Sequence, residues 1–246
     1  MRAMIFAAGM GTRLKPLTDH MPKALVPVGG KPLLDIQIEK LKAVGCTDIV
    51  VNIHHFANQI EQHVKERDWG VNIQLSDERS LLLDTGGGLK KASALFGADD
   101  SPVLIHNVDI LSNADLRTLY KLGEQHDAVV LVSDRPTQRY LLFDDRLNLV
   151  GWTHVGTGEV RTPFEKLDVK QCRKLAFAGI HVFSPRLFLE MQSWPEKFSI
   201  IDFYLSVCGK YDIYGCYDAS LRLLDVGKQD TLKIANDFAM KYMGKI

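Results

Sequence analysis

The 246-residue sequence has few cysteines, and they form no recognisable pattern. Its four cysteines contain no CxxC pair, and the interval between Cys208 and Cys216 matches no zinc-site spacing. We therefore expect neither a disulfide framework nor a structural zinc site. Reduced thiols of this kind are typical of a cytoplasmic protein, and that is the location we predict.

Long apolar runs and a surplus of either charge are also missing. No apolar run approaches the roughly 18 residues of a membrane span, and the first residues lack the pattern of a signal peptide. Thirty basic and thirty acidic residues cancel at pH 7. We therefore expect no nucleic-acid partner and no membrane partner.

The first part of the chain does contain apolar runs that alternate with helix-like segments. Predicted strands cover Ala3–Ala7, Asp48–Ile53, Val71–Leu75, Pro102–Asn107 and Ala128–Ser133. Predicted helices cover Pro32–Val44, Ala57–Arg67, Gly88–Phe96 and Ala114–Glu124. Strands separated by helices of this length indicate βαβ units, so we predict an α/β, Rossmann-like fold with a mostly parallel sheet flanked by helices.

The pattern changes in the second part of the chain. Tyr140–Phe143 and Leu149–Trp152 flank the turn sequence DDRLN, which predicts an antiparallel hairpin. A further strand is predicted at Leu175–Phe183, and helices at Ile200–Val207 and Lys228–Tyr242. We predict one domain over residues 1–246, with a nucleotide-type half at 1–133 and a mixed, antiparallel half at 134–246 for a second substrate.

A glycine-containing segment follows the first predicted strand. Gly9 and Gly11 allow the backbone to approach a ligand closely, and Arg13 and Lys23 add positive charge. Exposed amides with nearby cations indicate an anion site, most simply for a phosphate chain. No Walker loop is present, and Leu14 replaces the third glycine of a dinucleotide fingerprint. On these residues alone, a tight turn with surface cations is the alternative.

The whole segment, FAAGMGTRLKPLTDHMPKAL, resembles the signature LAAGxGTRLxPLTxxxPKPL of the sugar-1-phosphate nucleotidyltransferases. The matching positions are Ala7, Ala8, Gly9, Gly11, Thr12, Arg13, Leu14, Pro16, Leu17, Thr18, Pro22, Lys23 and Leu25. Ala24 stands where proline is usual, which should alter loop stiffness more than chemistry. The resemblance covers nearly the whole chain, because three later motifs follow in the family's order.

The first later motif, LLLDTGGGLKKA, is similar to the family's glycine-rich loop, against which the nucleotide base lies. We expect backbone groups of Gly86, Gly87 and Gly88 to form hydrogen bonds with a base edge. A flexible turn before a helix is the alternative for these glycines. The role of Asp84, beside them, stays open.

Two aspartates are the candidate metal ligands. The motif IHNVDIL places Asn107 and Asp109 at the carboxyl end of a predicted strand, where α/β proteins bind ligands. In the family the aspartate matching Asp109 binds Mg²⁺, and LRLLDVGK resembles the element with a second metal-binding aspartate, here Asp225. Leu223 and Lys228 depart from that element, in which Trp and Thr are common. A strand-end aspartate that caps a helix is the alternative for Asp109.

The last motif, FAGIHVFSP, is similar to the family's sugar-facing strand. There, Gly179 would let a sugar approach the backbone. His55 and His63 are expected to be solvated or packed rather than metal ligands.

The resemblance implies nucleotidyl transfer from a nucleoside triphosphate to a sugar 1-phosphate, with Mg²⁺ as the cofactor. The backbone of Gly9–Thr12 is expected to hold the β- and γ-phosphates, and Arg13 to neutralise the departing pyrophosphate. Lys23 is expected between the α-phosphate and the incoming phosphate, so Arg13 and Lys23 are the candidate catalytic residues. The expected nucleotide-binding residues are Ala7, Ala8, Gly9, Gly11, Thr12, Arg13, Lys23, Gly86, Gly87, Gly88 and Asn107.

The substrates implied are UTP and an N-acetylated sugar 1-phosphate. The sequence DTGGGL looks like ETGGGI of the short N-acetylmuramate-1-phosphate uridylyltransferases, and no hexapeptide repeats follow. A mannose-1-phosphate guanylyltransferase using GTP, or a choline-phosphate cytidylyltransferase, is the alternative. A nucleotide-sugar sensor without turnover is disfavoured because both cations and both aspartates are present, and a glycosyltransferase because Asp109 begins no D-x-D motif. We expect a monomer or a homodimer.

Overall fold

The computed structural model describes residues 1–97 and 99–243. Its strands are β1 (Arg2–Phe6), β2 (Pro27–Val28), β3 (Lys31–Pro32), β4 (Asp48–Ile53), β5 (Asn72–Asp77), β6 (Val103–Asn107), β7 (Ile110–Ser112), β8 (Ala128–Ser133), β9 (Arg139–Phe143), β10 (Leu149–His154), β11 (Glu159–Arg161), β12 (Arg173–Phe183), β13 (Ile213–Tyr217) and β14 (Leu223–Asp225). Its helices are α1 (Leu33–Ala43), α2 (Ala57–Lys65), α3 (Asp84–Ala92), α4 (Leu116–Gly123), α5 (Leu187–Met191), α6 (Ile200–Val207) and α7 (Gln229–Tyr242). None of these helices is long and apolar enough to cross a membrane.

Ten strands form one mixed sheet. The order is β11-β10-β9-β12-β6-β1-β4-β5, and β8 and β13 extend it beside β12. β1 runs parallel to both of its neighbours, with Ile5 opposite Val51 and His106, and β4 runs parallel to β5. The carboxyl ends of β1, β4, β5 and β6 therefore meet at one edge of the sheet.

The apolar strands are buried because helices cover both faces of the sheet. In β1, Ala3 and Ile5 belong to the apolar cluster that includes Leu41 of α1, whereas Met4 belongs to the cluster that includes Phe203 of α6. All five side chains are fully buried. Alternation along one strand thus fills two separate cores, which is why the parallel strands are apolar on both sides.

Strand β12 joins the two parts of the chain. It runs antiparallel to β6 and to β8, so the second part contributes a strand to the middle of the sheet. Its register shifts between Phe177 and His181, and Gly179 within this bulge has a φ of 74°. In the described chain, β8 is therefore joined to β6, β1, β4 and β5 only through β12.

A two-stranded sheet of β7 and β14 brings the two candidate metal ligands together. Asp225 is opposite Ile110, and the backbone N–H of Val226 donates to the carbonyl of Asp109 at 2.8 Å. The sequence analysis did not predict β7, the three-residue strand that pairs with β14. Their pairing places the end of the sheet region directly beside the turn after β6.

Candidate active site

The loop after β1 forms one wall of a cavity of about 360 Å³. The cavity lies at the carboxyl ends of the parallel strands, as expected for a ligand site in an α/β sheet. Its lining residues are Phe6, Ala7, Ala8, Gly9, Lys23, Asn52, Glu78, Leu82, Asp84, Thr85, Asn107, Val108, Asp109 and Lys197. Six of the predicted site residues are among them: Ala7, Ala8, Gly9, Lys23, Asn107 and Asp109.

The loop after β1 is fixed by hydrogen bonds at Gly11 and is open at Gly9. The carbonyl of Gly11 accepts hydrogen bonds from the backbone of Leu14 and the hydroxyl of Thr18, both at 2.8 Å. Gly11 has a φ of 64°, and a Cβ there would lie 3.1 Å from Cβ of Lys23. At Gly9 a Cβ would meet no described atom within 4 Å. A ligand can therefore approach the backbone at Gly9, whereas Gly11 is a packing position.

Lys23 and the two aspartates form a charged cluster. The Lys23 ammonium is ion-paired with Asp109, and their side chains are 11% and 17% exposed. Burial first, and then the negative charge of Asp109, raises the pKa of Asp225, while Lys23 and Arg13 act in the opposite direction. Oδ1 of Asp225 is buried and has no hydrogen-bond partner among the described residues.

Arg13 reaches this cluster from the loop after β1. A Cβ at Gly227 would lie 2.6 Å from Oδ1 of Asp225 and 2.8 Å from Nη2 of Arg13. A side chain at Gly227 would therefore collide with both groups. Arg13, Gly11, Thr12 and Asp225 are not among the residues that line the cavity.

The two aspartates fit a hard divalent cation. Carboxylate oxygens are the ligands that Mg²⁺ prefers, and a buried oxygen without a partner is one that a cation would satisfy. Within residues 1–97 and 99–243 no three His, Cys, Asp or Glu side chains converge, so the protein side of such a site would be the aspartate pair. Few protein ligands are typical of Mg²⁺ sites that include substrate phosphates.

The triglycine segment is not among the residues that line the cavity. Gly86–Gly88 are buried in the first turns of α3, and α3 begins at Asp84 rather than at Gly88. The amides of Gly86 and Gly87 donate to the carbonyl of Phe198 at 2.9 and 3.2 Å. Packing thus uses these two amide donors, and the contact of the glycine backbone with a base stays a prediction. The cavity wall here consists of Leu82, Asp84 and Thr85.

Gly179 lies behind Asn107. A Cβ at Gly179 would be 2.7 Å from Nδ2 of Asn107. Asn107 lines the cavity and Gly179 does not. The bulge in β12 thus brings the second part of the chain into contact with the wall of the cavity.

Sequence reasoning missed Asn52, Glu78 and Lys197. Oδ1 of Asn52 accepts hydrogen bonds from the amides of Ala7 and Ala8 at 2.7 and 3.2 Å, and Nδ2 donates to Oε1 of Glu78 at 2.7 Å. Both side chains come from the carboxyl ends of parallel strands, which is the signal that could have identified them. Lys197, from the loop before α6, had no such signal.

Comparison with known proteins identifies the family. The nucleotidyl transferase family model matches residues 2–241. The chain is 35% identical over 193 residues to the N-acetylmuramate alpha-1-phosphate uridylyltransferase of Caulobacter vibrioides, covering 75% of this chain and 76% of that protein. It is 38% identical over 128 residues to the mannose-1-phosphate guanyltransferase of Hypocrea jecorina, covering 51% and 35%.

A solved structure confirms the predicted fold. The UDP-glucose pyrophosphorylase of Acinetobacter baumanii matches with a TM-score of 0.77 at 15% identity, covering 98% of this chain and 94% of that one. Together with the family model, these likenesses agree with the motifs in the loop after β1. The chain therefore belongs to the nucleotidyl transferase family of enzymes.

Proposed function

We propose that this enzyme transfers a uridylyl group from UTP to an N-acetylated sugar 1-phosphate. A phosphate oxygen of the sugar 1-phosphate forms a bond to the α-phosphorus, and the bond from that phosphorus to the bridging oxygen breaks to release pyrophosphate. The observation that carries the proposal is the convergence of two cations and two carboxylates beside the open glycine loop. The likeness to the Caulobacter uridylyltransferase supports the choice of base and sugar.

This reaction depends on the stabilisation of negative charge more than on proton transfer. The attacking phosphate oxygen is already ionised at neutral pH, so the site needs no strong general base. The barrier comes from repulsion between two anions and from charge growing on the leaving pyrophosphate. Positioning and electrostatic stabilisation are the means by which a protein lowers such a barrier.

The cations of the cluster suit this task. Lys23 is held at the cavity wall with only 11% of its side chain exposed, so its charge is poorly screened by water. We assign it to the α-phosphate and the incoming phosphate, and we assign Arg13 to the pyrophosphate. Gly9, with open space before it, would allow the loop backbone to contact the triphosphate. We assign Asn107 to the nucleotide, and Gly179, which lies against it, to the sugar side.

We propose that Asp109 and Asp225 hold Mg²⁺. The support is the donor chemistry of the pair and the partnerless Oδ1 of Asp225. When bound, the ion supplies neutralisation of charge on phosphate oxygens. We also propose a single functional domain, in which residues 1–133 bind the nucleotide and residues 134–246 bind the sugar. The ten-stranded sheet shared by both parts supports a single domain.

A guanylyltransferase that uses GTP and mannose 1-phosphate is the second candidate. Its support is the 38% identity to the Hypocrea enzyme, which extends over 128 residues only. The carboxylate of Asp84 at the cavity wall is also compatible with the N–H donors of guanine.

A substrate panel tests the proposal. Each of UTP, GTP, CTP and dTTP is combined with N-acetylmuramate, N-acetylglucosamine or mannose 1-phosphate, or with choline phosphate, and pyrophosphate release is followed. We expect the highest kcat/KM with UTP and an N-acetylated sugar, and Asp109→Asn serves as the inactive control. A preference for GTP with mannose 1-phosphate would establish the second candidate, and no release with any pair would overturn the function.

A further inference from the structure

We propose that Asn52 and Glu78 are positioning residues, which set the backbone at the start of the loop after β1 through the hydrogen bond that they share. The inference rests on the proposed function, because the loop position matters only if a nucleotide binds there. Neither side chain is assigned to the reacting atoms. Their task is to fix the loop relative to the opposite cavity wall.

The pair forms one continuous chain of hydrogen bonds across the cavity floor. Asn52 accepts from the amides of Ala7 and Ala8, the last residues before Gly9, and donates to Oε1 of Glu78. Oε2 of Glu78 accepts from the amide of Leu83 at 3.1 Å. Because two backbone donors face Oδ1 of Asn52, its amide group has a fixed orientation. The chain thus links the ends of β1, β4 and β5 to the start of α3.

Burial makes this arrangement rigid. Glu78 is 0% exposed and Asn52 is 3% exposed. Glu78 has no ion-pair partner in the described chain, and its two oxygens are satisfied by the two N–H donors alone. A Cβ at Gly88 would lie 2.8 Å from Oε1 of Glu78 and 3.1 Å from Nδ2 of Asn52, so α3 closes the space behind the shared bond. Gly88 is therefore a packing residue for this pair.

The hydrogen-bonded pair Asn52 and Glu78 sets the distance between the two cavity walls that a nucleotide would contact. One wall starts at Ala7 and Ala8 and leads into Gly9, and the other starts at Leu83 and leads into Asp84. A displacement of about 1 Å at a substrate-positioning group can cost about 10²-fold in rate. We therefore expect a mismatch in the shared bond to weaken nucleotide binding and turnover together.

Two single substitutions create such a mismatch while keeping size. Asn52→Asp places a carboxylate oxygen against Oε1 of Glu78. Glu78→Gln places an amide NH₂ against a donor, either Nδ2 of Asn52 or the amide of Leu83. For each we expect UTP affinity to fall at least 10-fold and kcat/KM to fall by about 10²-fold.

The double variant Asn52→Asp/Glu78→Gln restores every bond, and only the bond between residues 52 and 78 is reversed in direction. The new carboxylate at position 52 would accept from Ala7 and Ala8 and also from the amide NH₂ of the new glutamine, whose oxygen would accept from Leu83. The net charge equals that of the wild type. We expect affinity and kcat/KM to return to within a few-fold of wild type, a recovery that loss of stability alone would not produce.

Asn58→Asp and Glu61→Gln, exposed or partly exposed residues of α2, are the matched controls and should behave as wild type. UTP affinity is measured by calorimetry, turnover by pyrophosphate release, and folding by the melting temperature.

The inference is overturned if the single variants bind UTP as wild type does, or if the double variant binds UTP no better than the single variants do. A wild type that binds UTP without turnover contradicts the proposed function alone, since the affinities still test the pair. A wild type that binds no nucleotide overturns both.

Discussion

The ammonium of Lys23 is ion-paired with the carboxylate of Asp109 at the wall of the cavity. The proposed reaction assigns Lys23 to the phosphates and Asp109 to the metal. Each group neutralises the other, which avoids the cost of an unpaired buried charge. In the proposed reaction, we expect contacts with phosphate and cation to replace this ion pair.

Replacing Lys23 by alanine should mainly lower kcat, because its phosphate partners carry the most charge in the transition state. The expected loss is about 10²–10³-fold, as for one electrostatic stabiliser at an active site. Steady-state kinetics measure it, and Lys65→Ala, on the exposed face of α2, is the control. A change of less than a few-fold in kcat would contradict the assignment of Lys23.

Asp225→Asn tests the metal site without disturbing the fold. The substitution removes a buried negative charge next to Asp109, so we expect the melting temperature without metal to stay the same or rise. Activity with Mg²⁺ should fall about 100-fold, and the stabilisation by Mg²⁺ with UTP should disappear. Thermal melting with and without both ligands gives the readout, with exposed Asp230→Asn as the control. Full Mg²⁺-dependent activity in Asp225→Asn would exclude it as a ligand.

Alanine substitutions at Gly179 and Gly158 separate backbone strain from steric contact. Both glycines have a φ of 74°, so each alanine should cost about 1–2 kcal/mol of unfolding free energy from the left-handed conformation. At Gly158 a Cβ meets nothing within 4 Å, whereas at Gly179 it lies 2.7 Å from Asn107. Gly179→Ala should therefore lose more stability in urea unfolding and also raise KM for the sugar phosphate. Equal losses of unfolding free energy in the two variants would mean that Asn107 moves away from the new methyl group without a loss of stability.

Acid should destabilise the protein through two buried histidines. Burial lowers the pKa of His106 and of His181 to about 3, so both side chains stay neutral in the folded protein. In the unfolded chain, each histidine has its ordinary pKa of 6.5 and takes up a proton below that pH. Their contribution is complete above pH 6.5 and is lost as the pH falls towards 3, by about 1.4 kcal/mol per pH unit for each. In His181→Gln the pH slope of the unfolding free energy should be shallower by this amount. The exposed His20→Gln should keep the wild-type slope.

The sequence predicted long elements well and short or packing-dependent ones poorly. The predicted strands Asp48–Ile53 and Ala128–Ser133 have the observed bounds, because each is an apolar run ended by polar residues. β7 and β14, with three residues each, are too short to show periodicity. Helix α3 starts four residues earlier than predicted, since packing on Phe198 outweighs the low helix propensity of three glycines.

In the candidate site, too, residues of a linear motif were predicted and residues brought together by strand pairing were not. Motif positions placed Lys23 and the two aspartates in one cluster, because a linear signature specifies them directly. Asn52 and Glu78 meet only because β4 and β5 pair with Asn52 opposite Ser76, two residues before Glu78. That register is a tertiary property, which no local pattern in either strand encodes.

The position of β8 limits how this protein can be dissected. In the described chain, β8 pairs with β12 and β13 and with no strand from residues 1–127. A fragment that stops at residue 133 would expose both edges of the fully buried sequence AVVLVS. Exposed apolar strand edges pair with other chains, so such a fragment should aggregate on expression. Reconstitution from two separately expressed fragments would therefore require the second fragment to be present while the first one folds.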